Sequence, residues 1–271
     1  LARTIPSSTH LEAPSRPIDA LLRLVTALMA GTAAWTAATQ PSTVNAWLFL
    51  SWGVPEEVAA WVDRGAAFTL VLAGLTALFR PGALCCLPIA AWLALEALAR
   101  LLIGGEPFAQ LAPFGHAVRF AAPLALWLWS AGRRDAAFEL ARVAAAATFL
   151  AHGYEALQHH PRFIDLLIPA AREHLGWRMS EATARHILTA IGLQDVLLAL
   201  ALGWRRARGI AFYMAAWGAI TLGARVLAWG LEQWPAAAIR CANLGLPLFL
   251  GLAWPLRWRP GPNPTPTNSE S

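Results

Sequence analysis

Lysine is absent from this chain, so all 21 basic residues other than histidine are arginine. Charge of either sign is scarce, at 14% of residues. The arginines stand at the ends of apolar runs, not in a basic stripe with interleaved aromatics, and that excludes a nucleic-acid footprint. Cysteine is nearly absent too. Cys85 and Cys86 are adjacent and Cys241 stands alone. Neighbouring cysteines do not readily bridge and the count is odd, so no disulfide framework is implied. Free thiols packed among helices are expected instead. There is no Gly-x-Ser-x-Gly elbow and no phosphate loop, which removes support for nucleophilic hydrolysis. Residues 1–17 begin at Leu1, are polar and proline-rich, and hold no apolar run of the kind a secretory signal needs. The tail from Arg259 is rich in Pro, Gly, Thr, Asn and Ser and is expected to be disordered.

What the chain does have is apolar length. It is 57% hydrophobic, with a mean hydropathy of +0.48. Fourteen tryptophans against two tyrosines suit the interfacial belts of a membrane protein. A spanning helix needs about 20 mostly apolar residues. The sequence predicts eight: Ile18 to Thr39, Val58 or Gly65 to Phe79, Gly82 to Ile103, Gly115 to Ala131, Ala136 to about His160, His186 to Trp204, Gly209 to Leu231, and Ala236 to Leu256. The expected fold is therefore all-α and integral to the membrane. Long connections follow the first and fifth helices, and the second holds a short amphipathic piece, Phe163 to Ile168. Arg3, Arg16, Arg80, Arg133, Arg134, the run Arg205, Arg206 and Arg208, and Arg257 with Arg259 gather on one side. The positive-inside rule then places both termini in the cytoplasm.

The two halves echo each other. Leu21-Leu22-Arg23-Leu24-Val25 aligns with Leu140-Ala141-Arg142-Val143-Ala144. Trp35 and Tyr154 each follow twelve residues after the arginine. Arg100 aligns with Arg225, and the segment from His116 to Leu124 aligns with that from Arg240 to Leu248. The expected organisation is two parallel four-helix repeats, 18–132 and 133–258, between the polar segment 1–17 and the tail 259–271. Polar positions found in both halves read as structural. His152, Glu155, His159, His186 and Asp195 have no acidic or imidazole counterpart in the first half, so the second unit is expected to hold the site.

His152, Glu155 and His159 stand at i, i+3 and i+7, one face of a helix that Pro161 should stop or kink. Imidazole and carboxylate on one face suit a transition metal, and haem is a lesser option. No His-Glu-x-x-His and no repeated Glu-x-x-His accompanies them. A second option is an apolar slot for a quinone or another amphipathic ligand, lined by His152, Tyr154, Glu155, His186, Asp195 and Arg225, with Trp229 beside them. Asp195 falls in mid-helix, where a charge needs a partner, a proton or a water-filled cavity.

The Leu-Leu-Arg-Leu opening of the first helix, the Gly153-Tyr154-Glu155-Ala156-Leu157 exit and the acidic Asp195 of the sixth helix resemble the DoxX-like membrane proteins. The likeness covers Ile18 to Leu256 as two units. It implies a bacterial four-helix unit associated with redox or sulfur metabolism, often as a subunit of a quinone-linked oxidoreductase. The expected function is a redox-associated membrane subunit with a ligand, quinone or metal site in the outer half of the second unit. The alternatives are a non-catalytic assembly subunit and a small-solute or proton transporter. The lipid bilayer and other membrane subunits are the expected partners.

Overall fold

The computed structural model describes residues 16–204 and 207–257, and among them every regular element is helical. Arg3, Arg205, Arg206, Arg259, most of the polar segment 1–17 and the tail lie outside the described residues. The first half runs α1 (Arg16–Thr39), α2 (Thr43–Trp52), α3 (Glu56–Phe79) and α4 (Ala83–Ile103), then a 3-10 turn (Ala109–Leu111), α5 (Ala112–Gly115) and α6 (Ala117–Ser130). The second half runs α7 (Arg134–Leu157), α8 (Pro161–Leu175), α9 (Glu181–Ala201) and α10 (Arg208–Trp229), then a 3-10 turn (Leu231–Gln233), α11 (Trp234–Ala238) and α12 (Cys241–Arg257).

Six of these segments are long and apolar enough to cross a membrane: α1, α3, α4, Ala109–Ser130, α9 and α10. A seventh is added if Leu231–Ala238 and Cys241–Pro255, bent by 45°, form one broken span. The remaining long helix, α7, has the length of a span. His152, Tyr154 and Glu155 in its last turns lower its apolar character.

Long helices pair within each half: α1 with α3, α4 with α6, α7 with α9 and α10 with α12. The halves meet where α6 packs on α7 and α1 packs on α12. The shared core includes Leu22, Met29, Leu126, Ala145, Phe249 and Leu250. Alanines such as Ala121, Ala122, Ala141 and Ala145 are fully buried there, and small side chains let the helices approach closely.

Arg23 and Arg142 do the structural work expected of them. Arg23 pairs with Asp19 at 2.6 Å and donates to the carbonyls of Leu78 and Phe79 at the end of α3. Arg142 pairs with Glu139 at 2.6 Å and reaches the Gly203 carbonyl just past α9. A guanidinium at a helix C-terminus satisfies free carbonyls and favours the helix dipole. These contacts mark the proximal end of the bundle. The distal end is where α1, α4, α7 and α10 finish, and α2, α5, α8 and α11 make its connections.

Several expected boundaries shift. The connection after the first span contains a helix, α2, with Ser42 as its N-cap and left-handed Gly53 after its end. The amphipathic piece in the second connection is the fifteen-residue α8. The α7 helix ends at Leu157, before His159 and His160. Pro161 does not simply stop a helix; it begins α8, because its missing N–H costs nothing in a first turn. The chain turns between them at His159, whose φ is 54°.

Candidate functional site

A cavity of about 1030 Å³ opens inside the distal end, between the two halves. Its floor lies where α6 and α12 begin, at His116, Arg119 and Arg240. Its walls include Arg100 and Glu96 from α4, His152 and Glu155 from α7, and Arg225 from α10. Glu106, Arg162, Asp165 and Glu232 stand at an exposed rim. The first half thus supplies as much of the polar lining as the second. The sequence places the site in the second unit, whereas this cavity draws its polar lining from both.

The interior holds more cations than anions. Arg100, Arg119, Arg225 and Arg240 each keep a buried Nε without a hydrogen-bond partner. Arg119 is only 9% exposed, and among the described residues none hydrogen-bonds its guanidinium. Arg240 donates to the Ala236 carbonyl of its own chain segment, and Arg225 to Thr221, 2.8 Å away. Among the described residues, Arg100 alone of the four has a carboxylate partner within reach, Glu106 at 3.2 Å, and Glu106 is shared with Arg162 at 3.1 Å. The cluster is mutually repulsive: Arg119 feels the charges of Arg100 and Arg225, and Arg240 feels Arg225, Arg119 and Arg100. Glu96 acts on Arg119, and Glu155 on Arg225 and Arg240, so both offset part of the charge through space. A buried charge without hydrogen bonds is expensive, and a ligand or water must complete it.

Of the residues expected to form a site, His152, Glu155 and Arg225 meet in this cavity. His152 Nδ1 lies 3.0 Å from Glu155 Oε2, one helical turn apart. The others lie elsewhere. His159 turns away from the α7 face and bonds Thr189 Oγ1 on α9 at 3.0 Å. The expected metal triad of His152, Glu155 and His159 therefore does not converge, because the helix that would align it ends at Leu157. Among the described residues no group of three His, Cys, Asp or Glu side chains is placed to hold a metal. Tyr154 is 48% exposed and its ring meets Phe108 edge-on. His186 is exposed on α9. Asp195 is buried and keeps Oδ1 unpartnered among the described residues, away from the cavity.

His160 is a further cavity residue. It caps α8, its Nδ1 accepting from the Arg162 N–H at 3.1 Å, and its ring lies between Phe108 and Phe163. Burial pushes its pKa below the ordinary histidine value, and Arg162 adds to this. Glu155, Glu106 and a bond to the Pro107 carbonyl oppose the shift.

The sequence pointed to Arg225 but not to Arg119, His116 or Arg240. The signal was present. His116 and Arg119 align with Arg240 and Asn243, and all four stand at the start of an apolar run, where polar side chains need a reason.

Chemically, the arginine-rich lining of the cavity suits an oxyanion. Guanidinium groups bind carboxylate or phosphate through paired N–H donors. The N-termini of α6 and α12 add partial positive charge at the floor. Comparison with protein-family models, curated proteins and solved structures finds no match.

Proposed function

We propose that this is a membrane-integrated ligand-binding protein whose distal cavity takes an anionic small molecule. The single observation that carries this reading is Arg119, a buried guanidinium lining a large cavity, whose Nε has no hydrogen-bond partner among the described residues. The reading includes eight crossings in two units, 18–132 and 133–258, with both termini in the cytoplasm of a bacterial inner membrane. The recurring order of elements supports the two units. In each half, a long helix and a short one precede two long helices, a 3-10 turn, a short helix and a final long helix. Arg80, Arg133 and Arg134 at the proximal turns support the orientation.

The test is ligand-dependent stability in a neutral detergent. An anion that binds only the folded protein stabilises it by about 2.7 kcal/mol at a hundred times its Kd. Phosphate, sulfate and simple carboxylates should raise the unfolding temperature of the wild type and not of Arg119→Gln. A panel that shifts both proteins equally, or neither, contradicts the reading.

A second reading has one observation in its favour. The His152–Glu155 pair faces the cavity at hydrogen-bond distance, and such a pair suits proton exchange with the carbonyl head of a quinone. This is the redox-associated subunit that the DoxX-like resemblance implies. It predicts a quinone in the lipid extract of the purified protein and its loss in His152→Ala. An extract free of quinone from quinone-replete cells contradicts it.

A further inference from the structure

The arginines occupy the floor and one wall of the cavity. Another wall is aromatic, built by Trp35 on α1, Trp92 on α4 and Trp229 at the end of α10. Trp35 lines the cavity and is also 52% exposed on a helix apolar enough to cross a membrane. It therefore touches both the cavity and the lipid-facing surface. Trp229, 39% exposed, does the same. Between them, α1 and α10 are bridged by α11, a helix of only five residues that packs on both. Trp234 of α11 meets the Trp35 ring at 6.0 Å. Indole rings favour the headgroup level of a bilayer, with an apolar body and a polar tip.

The opposite side of the cavity is closed. There α5 fills the space between α4 and α7, and Gly115 sits so near His152 that a Cβ would come within 3.5 Å of its ring. Phe108 seals the rim against Tyr154 and His160. Tyr154 aligns with Trp35 in the other half, yet it does not line the cavity. On the Trp35 side, lining residues of the cavity are themselves exposed on the outer surface of the bundle.

We propose that the occupant is a membrane amphiphile with a phosphate or carboxylate head, entering sideways between α1 and α10 past Trp35 and Trp234. The head seats against Arg119, Arg240 and their neighbours, and the chain leaves along the indole wall into lipid. This rests on the anion reading above and narrows the source of the anion from solution to membrane.

The two readings separate in one titration. Full-length protein in neutral maltoside micelles is titrated with inorganic phosphate and with dodecyl phosphate, followed by calorimetry. The wild type should bind dodecyl phosphate at least tenfold more tightly. The double variant Trp35→Ala/Trp234→Ala should lose most of that advantage and keep its phosphate affinity. Both bindings should fall at least tenfold in Arg119→Gln. Equal affinities in the wild type, or a preference that survives loss of both indoles, overturn the lateral route and leave the anion site standing. Failure of both ligands to bind, or binding unchanged in Arg119→Gln, overturns the anion site itself. Trp35→Phe/Trp234→Phe keeps the aromatic packing and should restore the preference, which guards against a merely unfolded double variant.

Discussion

At the scale of single residues, the proposed anion site assigns Arg119 a stability cost that a ligand would offset. The side chain is buried, its Nε lacks a hydrogen-bonding partner among the described residues, and its repulsive neighbours Arg100 and Arg225 raise that cost. Replacing a buried ion pair with apolar side chains of similar volume is often neutral or stabilising by about 1–4 kcal/mol, and a buried charge without a partner is costlier than a paired one. Arg119→Met should therefore unfold at a higher temperature than the unliganded wild type and lose anion binding. A less stable Arg119→Met would mean that the guanidinium is a structural brace. His160 gives a pH prediction. Its folded pKa is below the unfolded value of about 6.5, so the unfolded chain takes up the proton more readily. The stability linked to His160 is complete above about pH 6.5 and falls as the pH drops towards the lowered folded value. A protonated Nδ1 also cannot accept from the Arg162 N–H. Melting curves from pH 8 to pH 5 should show this loss in the wild type. His160→Asn, which can still cap α8, should flatten it.

At the scale of elements, the long apolar helices were legible because hydropathy and length state them directly. The connections were less so. The α2 segment, Thr43–Trp52, is mostly apolar and has no helical stripe to read, so only its capping residues Ser42 and Gly53 announce it. The end of α7 was misplaced because Pro161 suggests a helix stop at His160, whereas the helix closes at Leu157 and Pro161 starts the next one. That three-residue difference dissolves the His152, Glu155 and His159 face. Element packing yields another prediction. The α7 and α9 helices cross at Gly153 and Gly192, where a Cβ on Gly192 would lie 2.7 Å from the Gly153 carbonyl oxygen and 2.8 Å from the Leu157 nitrogen. Backbone atoms cannot yield as a side chain can, so Gly192→Ala should destabilise the protein by about 1–3 kcal/mol. Gly65→Ala, with open space around its Cβ, is the matched control. Equal melting temperatures for the two variants would show that the helices do not meet there.

At the scale of the whole molecule, the cavity exists only because two halves face each other. Arg100 and Arg225 align in the sequence and were legible as a matched pair. Their convergence was not, because sequence alignment gives equivalence and not which faces meet. Reading the second half as the site's sole owner followed from that gap. The proposed eight crossings would put the distal connections on one side of the membrane and the proximal turns on the other. In a variant whose three native cysteines are replaced, single cysteines introduced at Gly105 and Gln158 should be labelled from one side, and those at Gly82 and Gly132 from the other. Labelling of Gly105 and Gln158 from opposite sides would remove α7 as a span. The central claim, that unpartnered arginines await an anion, is tested most directly by an experimental structure grown with selenate. The account predicts an anomalous peak in the cavity within hydrogen-bond reach of Arg119 and at least one of Arg100, Arg225 and Arg240. An empty cavity with Arg119 paired to Glu96 would contradict it.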